Sequence, residues 1–359
     1  MNSQAAVFEG TAREVHLREL SLPDLQSGET LVRVLGCTLC GSDLHSYEGH
    51  RKVPVPTVLG HEIVGEIISF GEGTPRIDLA GRELRIGDRV TWAIVANCGE
   101  CFYCQRNLPQ KCLQSVKYGH EAFRPGRELL GGLAEHCLLV RGTAIIRVPE
   151  NLPLEVACPA SCATSTVAAA LEAAGELSGR TVGILGAGML GLTVCAMSRT
   201  AGAAEVLCVD TNEARRAQAI AFGATHALTP DELANKVREL TDGHGLDILL
   251  EFTGSTPALE NAWPLLRIGG RIVLVGAVFP GPPLSLVPEQ IIRRQLTISG
   301  VHNYAPRHLA VAMSFLEHNQ EKFPFASLVA AWRPLAETAE AFQVARESQA
   351  VRIGVRAET

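Results

Sequence analysis

The chain has 359 residues, of which 47% are hydrophobic and 19% charged, and its formal net charge is −6. That length exceeds what one hydrophobic core usually fills and predicts two domains, while the composition excludes long disordered tails. Lys and Arg are scattered without a basic stripe, so nucleic acid and anionic membranes are not expected partners and a small molecule is.

The opening residues, MNSQAAVFEGTAREVHLREL, lack the successive zones of a secretory signal, and a cytoplasmic protein is expected. Gly or hydroxyl residues interrupt the apolar segments near 157–171 and 181–198, so neither offers the roughly 20 apolar residues that span a bilayer. In the first part of the chain, runs such as TLVRVL, VGEIISF and DRVTWAIV alternate with Gly, Pro and Asp turns and predict a β-rich domain. From about 180 the pattern changes. The apolar runs TVGIL, EVLCVD, LDILLEF, GRIVLVGA and LTISG alternate with helical segments, which predicts βαβ units and a doubly wound parallel sheet. After 302, helix-like HLAVAMSFLEHN and ETAEAFQVARES lead to VRIGVR, a β run too small to stand alone and assigned back to the first domain. The expected division is 1–158 completed by 303–359, with 159–302 between them.

Two features point to a dinucleotide. Strand TVGIL runs into Gly186, Gly188 and Gly191, and strand EVLCVD ends at Asp210, 19 residues after Gly191. Glycines in a G-x-G-x-x-G turn permit close approach of backbone N–H groups to a pyrophosphate at a helix N-terminus. An acidic residue at the end of the next strand accepts the ribose hydroxyls and repels a 2′-phosphate, which favours NAD over NADP. Arg215 tempers that preference, being either a phosphate-neutralising residue, a ribose contact or a solvated helix residue.

Eleven cysteines in a reducing compartment point to metal or catalysis before disulfides. Cys98, Cys101, Cys104 and Cys112 form C-x2-C-x2-C-x7-C in a loop-like stretch and suit a closed, structural tetrahedral zinc site. An iron–sulfur cluster and unligated cysteines are the alternatives. A second set is dispersed: Cys40 in CGSDLH, His61 and Glu62 in GHE, and Cys162 in PASCATST. Two thiolates and an imidazole would leave a fourth zinc position open for water or an alcohol oxygen. The competing reading is two core cysteines and a satisfied histidine. Cys37 and Cys40 also make C-x-x-C, but no thioredoxin-like context surrounds them.

CGSDLHSYEG, GHEIVGE, the four-cysteine loop, GAGMLG and Asp210, in this order, resemble the zinc-dependent medium-chain dehydrogenase/reductase family. The resemblance covers nearly the whole chain. It implies an α/β architecture, with a GroES-like catalytic domain built from both chain ends and a Rossmann domain inserted between. It also implies an active site in the interdomain cleft and a homodimer or homotetramer. By the same resemblance Cys40, His61 and Cys162 are the catalytic zinc ligands, Glu62 is an acidic neighbour of the metal, and Asp43 orients His61. Ser42 hands the alcohol proton inward and His45 passes it to water; imidazole suits such proton transfer. Thr166 matches a nicotinamide-side contact and Arg352 a basic residue at the pyrophosphate.

The phrases VTWAIVANC, LPQKC, KYGHE, PASCATSTVAAALEAAG and SGVHNY are also similar to a bacterial branch of alcohol dehydrogenases associated with phosphonate catabolism. His50 and Arg51 follow the first zinc ligand by about the interval of a substrate-pocket residue in this family. An arginine fork there suits phosphonate or carboxylate oxygens, the alternative being a solvated loop charge. His302, Asn303 and Tyr304 either border the cleft or simply pack. The expected activity is hydride transfer between a small polar or anionic alcohol or aldehyde and NAD, with two zinc ions per chain. A polyol dehydrogenase, a zinc-free reductase and an NAD-binding sensor on the same fold are the rival readings.

Overall fold

In the computed structural model, which describes residues 1–10, 14–348 and 350–357, the N-terminal runs form β1 (Asn2–Phe8), β2 (Val15–Ser21) and β3 (Thr30–Thr38). The short helix α1 (Gly41–Tyr47) follows, then β4 (Thr57–Val58), β5 (Glu62–Phe70), β6 (Arg89–Trp92) and β7 (Val95–Ala96). Next come β8 (Val116–Lys117), β9 (His136–Leu139), β10 (Ile145–Arg147), α2 (Leu154–Ala157) and α3 (Ala163–Ala174). The β/α succession comprises β11 (Thr181–Leu185), α4 (Met189–Thr200), β12 (Glu205–Val209), α5 (Glu213–Ala221), β13 (His226–Leu228) and α6 (Pro230–Leu240). It continues with β14 (Leu246–Glu251), α7 (Thr256–Ala262), β15 (Leu266–Leu274), α8 (Pro288–Arg293) and β16 (Thr297–Gly300). The chain closes with α9 (Pro306–Asn319), β17 (Val329–Pro334), α10 (Thr338–Glu347) and β18 (Arg352–Arg356).

The chain divides into two units, one of Met1–Ser165, Ala305–Glu321 and Phe325–Thr359, the other of Thr166–Tyr304 and Lys322–Pro324. The division falls at Ser165/Thr166 and Tyr304/Ala305, where the sequence reading put the boundaries at 158/159 and 302/303. In the first unit the largest sheet runs β10-β6-β5-β3-β18-β17, with β9 also on β3. The order places the last strand beside β3 through the pairs Gly354↔Thr38 and Val355↔Cys37, and β3 beside β5 through Thr38↔Glu62. Residues 38, 62 and 352 therefore meet although nearly the full chain separates them. Side chains such as Val32, Ile63, Ile67, Leu138 and Phe342 form the core that holds these strands in register.

The second unit is a six-stranded parallel sheet ordered β13-β12-β11-β14-β15-β16. Its central strands β11, β12 and β14 are apolar runs buried over most of their length, as parallel strands covered on both faces must be. The order reverses between β11 and β14, and ligands of such sheets bind at that point, beyond the strands' carboxyl ends. Helices begin with local signals: Asn212 caps α5 by accepting from the Arg215 N–H, and Thr229 with Glu232 forms a capping box on α6. Among the described residues no single helix is long and apolar enough to cross a membrane.

Candidate metal centres and cofactor cavity

The four-cysteine loop wraps its sulfurs around one point. Sγ atoms of Cys101 and Cys104 are 3.5 Å apart, those of Cys98 and Cys112 3.5 Å, and those of Cys101 and Cys112 3.9 Å. A disulfide needs about 2.05 Å. A tetrahedron with zinc–sulfur bonds of about 2.3 Å has edges of about 3.8 Å, so the spacing fits a metal and not a bridge. Backbone N–H groups of Cys98 and Gln114 point at Cys112 Sγ, that of Cys101 at Cys98 Sγ, and that of Leu113 at Cys101 Sγ. Such donors pull the Cys101 thiol down to about 6, chiefly through the Cys104 and Leu113 backbone, while burial holds the Cys104 and Cys112 thiols up.

The dispersed residues also converge. One ligand atom from each of Cys40, His61, Glu62 and Cys162 lies within 4.8 Å of the others. Cys40 stands at the N-terminus of α1, His61 at the entrance to β5, and Cys162 just before α3. Buried Asp43 ties the first two together, accepting from the backbone N–H of Cys40 at 2.9 Å and of Gly60 at 3.3 Å, and facing His61 Nδ1 at 3.2 Å. A carboxylate on Nδ1 sets the tautomer that leaves Nε2 available for a metal. In the metal-free site burial disfavours a charge on His61, but the charge and hydrogen bond of Asp43, then Cys40, outweigh it and raise its pKa to about 10, so a metal would bind Nε2 by displacing its proton. Cys40 is held well below the usual thiol range, chiefly by its hydrogen bond with Cys162 and then by the Arg352 charge, with burial opposing. The same hydrogen bond, with burial, holds the Cys162 thiol up, so the pair shares one proton; two sulfurs and one imidazole converging within 4.8 Å are a donor set that fits zinc.

Glu62 is fully buried and fully engaged. It accepts from Thr38 Oγ1 at 2.6 Å and from Arg352 Nε and Nη2 at 2.8 and 2.9 Å. Arg352 Nη2 also lies 3.7 Å from Cys40 Sγ, and its Nη1 donates to the Val351 carbonyl. The guanidinium assigned by resemblance to a pyrophosphate is thus spent on Glu62 and the Cys40 sulfur. The β5-β3-β18 adjacency that makes this contact is invisible in local spacing.

Ser42 Oγ lies 3.4 Å from His61 Nε2, within reach of the same centre. His45, on α1, is exposed, its ring 5.9 Å from that of His50. The structure separates the His50–Arg51 pair: His50 is exposed and sits 3.4 Å from Glu48, whereas Arg51 Nη1 bonds His120 Nε2 at 2.7 Å. His302 and Asn303 are not buried, while Tyr304 is. Cys37 is buried and its thiol is raised well above its ordinary value, first by burial and then by Asp43, which makes it a poor redox partner for Cys40.

In the second unit Gly186 (φ 97°) turns the chain out of β11, and Gly188 caps α4. A Cβ on Gly191 would lie 1.8 Å from the Gly186 carbonyl oxygen, so only glycine fits, whereas one on Gly188 would meet nothing within 4 Å. That open space above a helix N-terminus suits a phosphate. Asp210 Oδ2 accepts from the Ala187 N–H at 2.8 Å and Oδ1 from the Asn212 N–H at 2.8 Å. Gly186, Gly188 and Asp210 line a cavity of about 730 Å³ at the sheet's reversal point, together with Arg215, whose Nε is buried without a partner among the described residues. Thr166, in α3, is half-buried and belongs to this unit.

Family models match both units: an alcohol dehydrogenase GroES-like domain over residues 26–150 and a zinc-binding dehydrogenase over residues 190–318. L-threonine 3-dehydrogenase of Pyrococcus furiosus is 32% identical over 302 residues, covering 82% of this chain and 80% of that one. D-arabitol-phosphate dehydrogenase of Enterococcus avium is 28% identical, covering 93% and 92%. An alcohol dehydrogenase of Thermotoga maritima superposes with a TM-score of 0.93 over the full length of both chains, at 28% identity. The chain belongs to the zinc-dependent medium-chain alcohol dehydrogenase family.

Proposed function

We propose that this chain is an NAD-linked dehydrogenase with two zinc ions per chain, moving a hydride between the cofactor and the carbinol carbon of a small polar or anionic alcohol. One observation carries the reading: one ligand atom from each of Cys40, His61 and Cys162 lies within 4.8 Å of the others, although the residues come from three distant places in the chain. Zinc held there would polarise the substrate oxygen, and NAD in the cavity beside Gly188 and Asp210 would take the hydride.

The chain's own residues supply the rest. Asp43 holds His61 in one tautomer and orientation. Glu62 and Arg352 neutralise each other beside the cluster, and Arg352 adds positive charge at Cys40. Ser42 Oγ can take the alcohol proton, and exposed His45 can deliver it to water. Asp210 favours the unphosphorylated ribose of NAD, and the four-cysteine loop is a structural zinc lobe. Two relatives are named for substrates that carry an anionic group, L-threonine and D-arabitol phosphate, and Arg51 supports the narrower reading of a phosphonate-bearing alcohol.

Metal content per chain and nicotinamide absorbance with a panel of alcohols, polyols and hydroxyalkylphosphonates test this. Two zinc ions are expected, with Cys162→Ser keeping one and losing turnover. A single zinc in the active wild type, or undiminished activity in Cys162→Ser, would sink the assignment.

A further inference from the structure

The residues that close α1 bring donor groups of another kind together. Helix α1 ends at Tyr47 with Glu48 in its cap position, and the Glu48 N–H donates to the Leu44 carbonyl at 2.9 Å. Gly49 then takes a left-handed conformation (φ 79°), and the chain folds back so that the Arg51 N–H donates to the His45 carbonyl at 2.9 Å. Glycine adopts that conformation without steric cost, and the turn returns His50 to the end of the helix that carries His45.

The side chains meet as a result. The rings of His45 and His50 are 5.9 Å apart, and His50 Nδ1 lies 3.4 Å from Glu48 Oε2. One ligand atom from each of His45, Glu48 and His50 lies within 4.8 Å of the others, the same convergence that marks the two cysteine-bearing clusters. Glu48 is largely withdrawn from water, its side chain 18% exposed, while both rings stand at the surface. A single exposed His–Glu pair contributes little as an ion pair, and a second imidazole beside the same carboxylate does nothing to strengthen it. For a metal it is the third donor. Two imidazoles and one carboxylate form a donor set that suits zinc and its neighbours in the transition series, with positions left over for water. The carbonyl end of a helix favours a cation as well.

We propose that His45, Glu48 and His50 form a third divalent-metal site, an exchangeable surface site for zinc or a similar transition ion, separate from the Cys40/His61/Cys162 cluster and from the four-cysteine loop. Its ligands come from one short turn at the surface, so the ion can enter and leave without disturbing the sheet. An imidazole passes a proton by accepting on one nitrogen and releasing from the other, so a metal on either nitrogen of His45 stops the transfer. That consequence rests on the reading of His45 as the outlet for the alcohol proton. Zinc bound at this site closes the outlet, and excess zinc inhibits the enzyme that zinc otherwise activates.

The test uses the untagged full-length, zinc-loaded enzyme with its Glu48→Gln and His50→Ala variants. Equilibrium dialysis against excess zinc, followed by metal analysis, should find one ion more per chain in the wild type than in either variant. In the same excess of zinc the wild type should lose about 10²-fold in kcat, the low end of what a proton-transfer group contributes, and regain it on dilution. Glu48→Gln should keep the wild-type kcat without added zinc and resist the inhibition. Equal metal content in wild type and both variants, whether the extra ion is absent from all of them or present in all, would overturn the site. Binding and inhibition separate the two readings. An extra ion lost in both variants that leaves the wild-type kcat untouched retains the metal site and removes His45 from the proton route. If the chain oxidises no alcohol, the dehydrogenase reading falls and the dialysis comparison still decides the site by itself.

Discussion

The two cysteine clusters reach similar sulfur chemistry by opposite routes. The four-cysteine loop draws every sulfur from residues 98–112 and steadies them with its own backbone N–H groups. The second cluster draws Cys40, His61 and Cys162 from three distant places and depends on buried charges, with Asp43 on His61 and Arg352 spanning Glu62 and Cys40. A loop that satisfies itself can be altered without disturbing distant strands. A cluster held by β5, β3 and β18 depends on the register of the sheet.

This contrast can be broken most severely at Cys40. Cys40→Ser should remove one zinc and lower kcat by about 10³-fold or more while the four-cysteine loop keeps its metal, as metal analysis beside steady-state kinetics would show. Cys112→Ser should do the reverse, losing the other metal and lowering Tm by about 10 °C or more, with turnover per folded molecule largely kept. Should Cys112→Ser abolish kcat in protein that remains folded, the separation between a structural and a chemical centre would be wrong.

A smaller effect sharpens the same distinction within the glycine turn. Gly191→Ala forces a Cβ onto the Gly186 carbonyl and should destabilise the protein by about 1–3 kcal/mol in thermal or urea melts. Gly188→Ala meets no atom of the protein, so the fold should survive while NAD affinity falls, readable by fluorescence titration.

The smallest expected effect concerns Lys117. Its pKa of about 8 lies below that of a lysine in the unfolded chain, so the ammonium is present in the folded protein below that pH and lost as pH rises through it. Burial acts on it first, then Arg51 as a like charge, the Cys162 and Cys40 sulfurs as anions, and Lys111 as a further like charge. KM for an anionic alcohol should therefore climb between about pH 8 and pH 10, with no such rise for 1-propanol. The stability sign is opposite: the cost of burying this charge is complete below the folded pKa and vanishes above the unfolded one, so an anion bound at neutral pH should raise Tm.

Much of the fold was legible because hydrophobic periodicity and turn residues act over short distances. The runs TVGIL, EVLCVD and LDILLEF became β11, β12 and β14 within a residue or two. VRIGVR, too short to stand alone, found its place as β18 beside β3. Less legible were charges that matter only through partners. Arg352 reads as a basic residue in a β run until Glu62, 290 positions away, is seen to occupy its fork. Arg51 reads either as an anion-binding fork or as a solvated loop charge, and its bond to His120 is not visible in local spacing; Lys117 carried no signal of its own.

The sequence by itself determined the features whose partners lie within one loop or one βα turn: the C-x2-C-x2-C-x7-C spacing, the glycines leading to Asp210, and the division into β-rich and doubly wound parts. Backbone geometry over a few residues suffices to bring those groups together. Only the tertiary structure decided which buried charges are answered and which are not. The electrostatic state of Glu62, Arg352, Arg51 and Lys117 depends on strands and loops that meet through sheet order, and desolvation acts only once the core has closed around them.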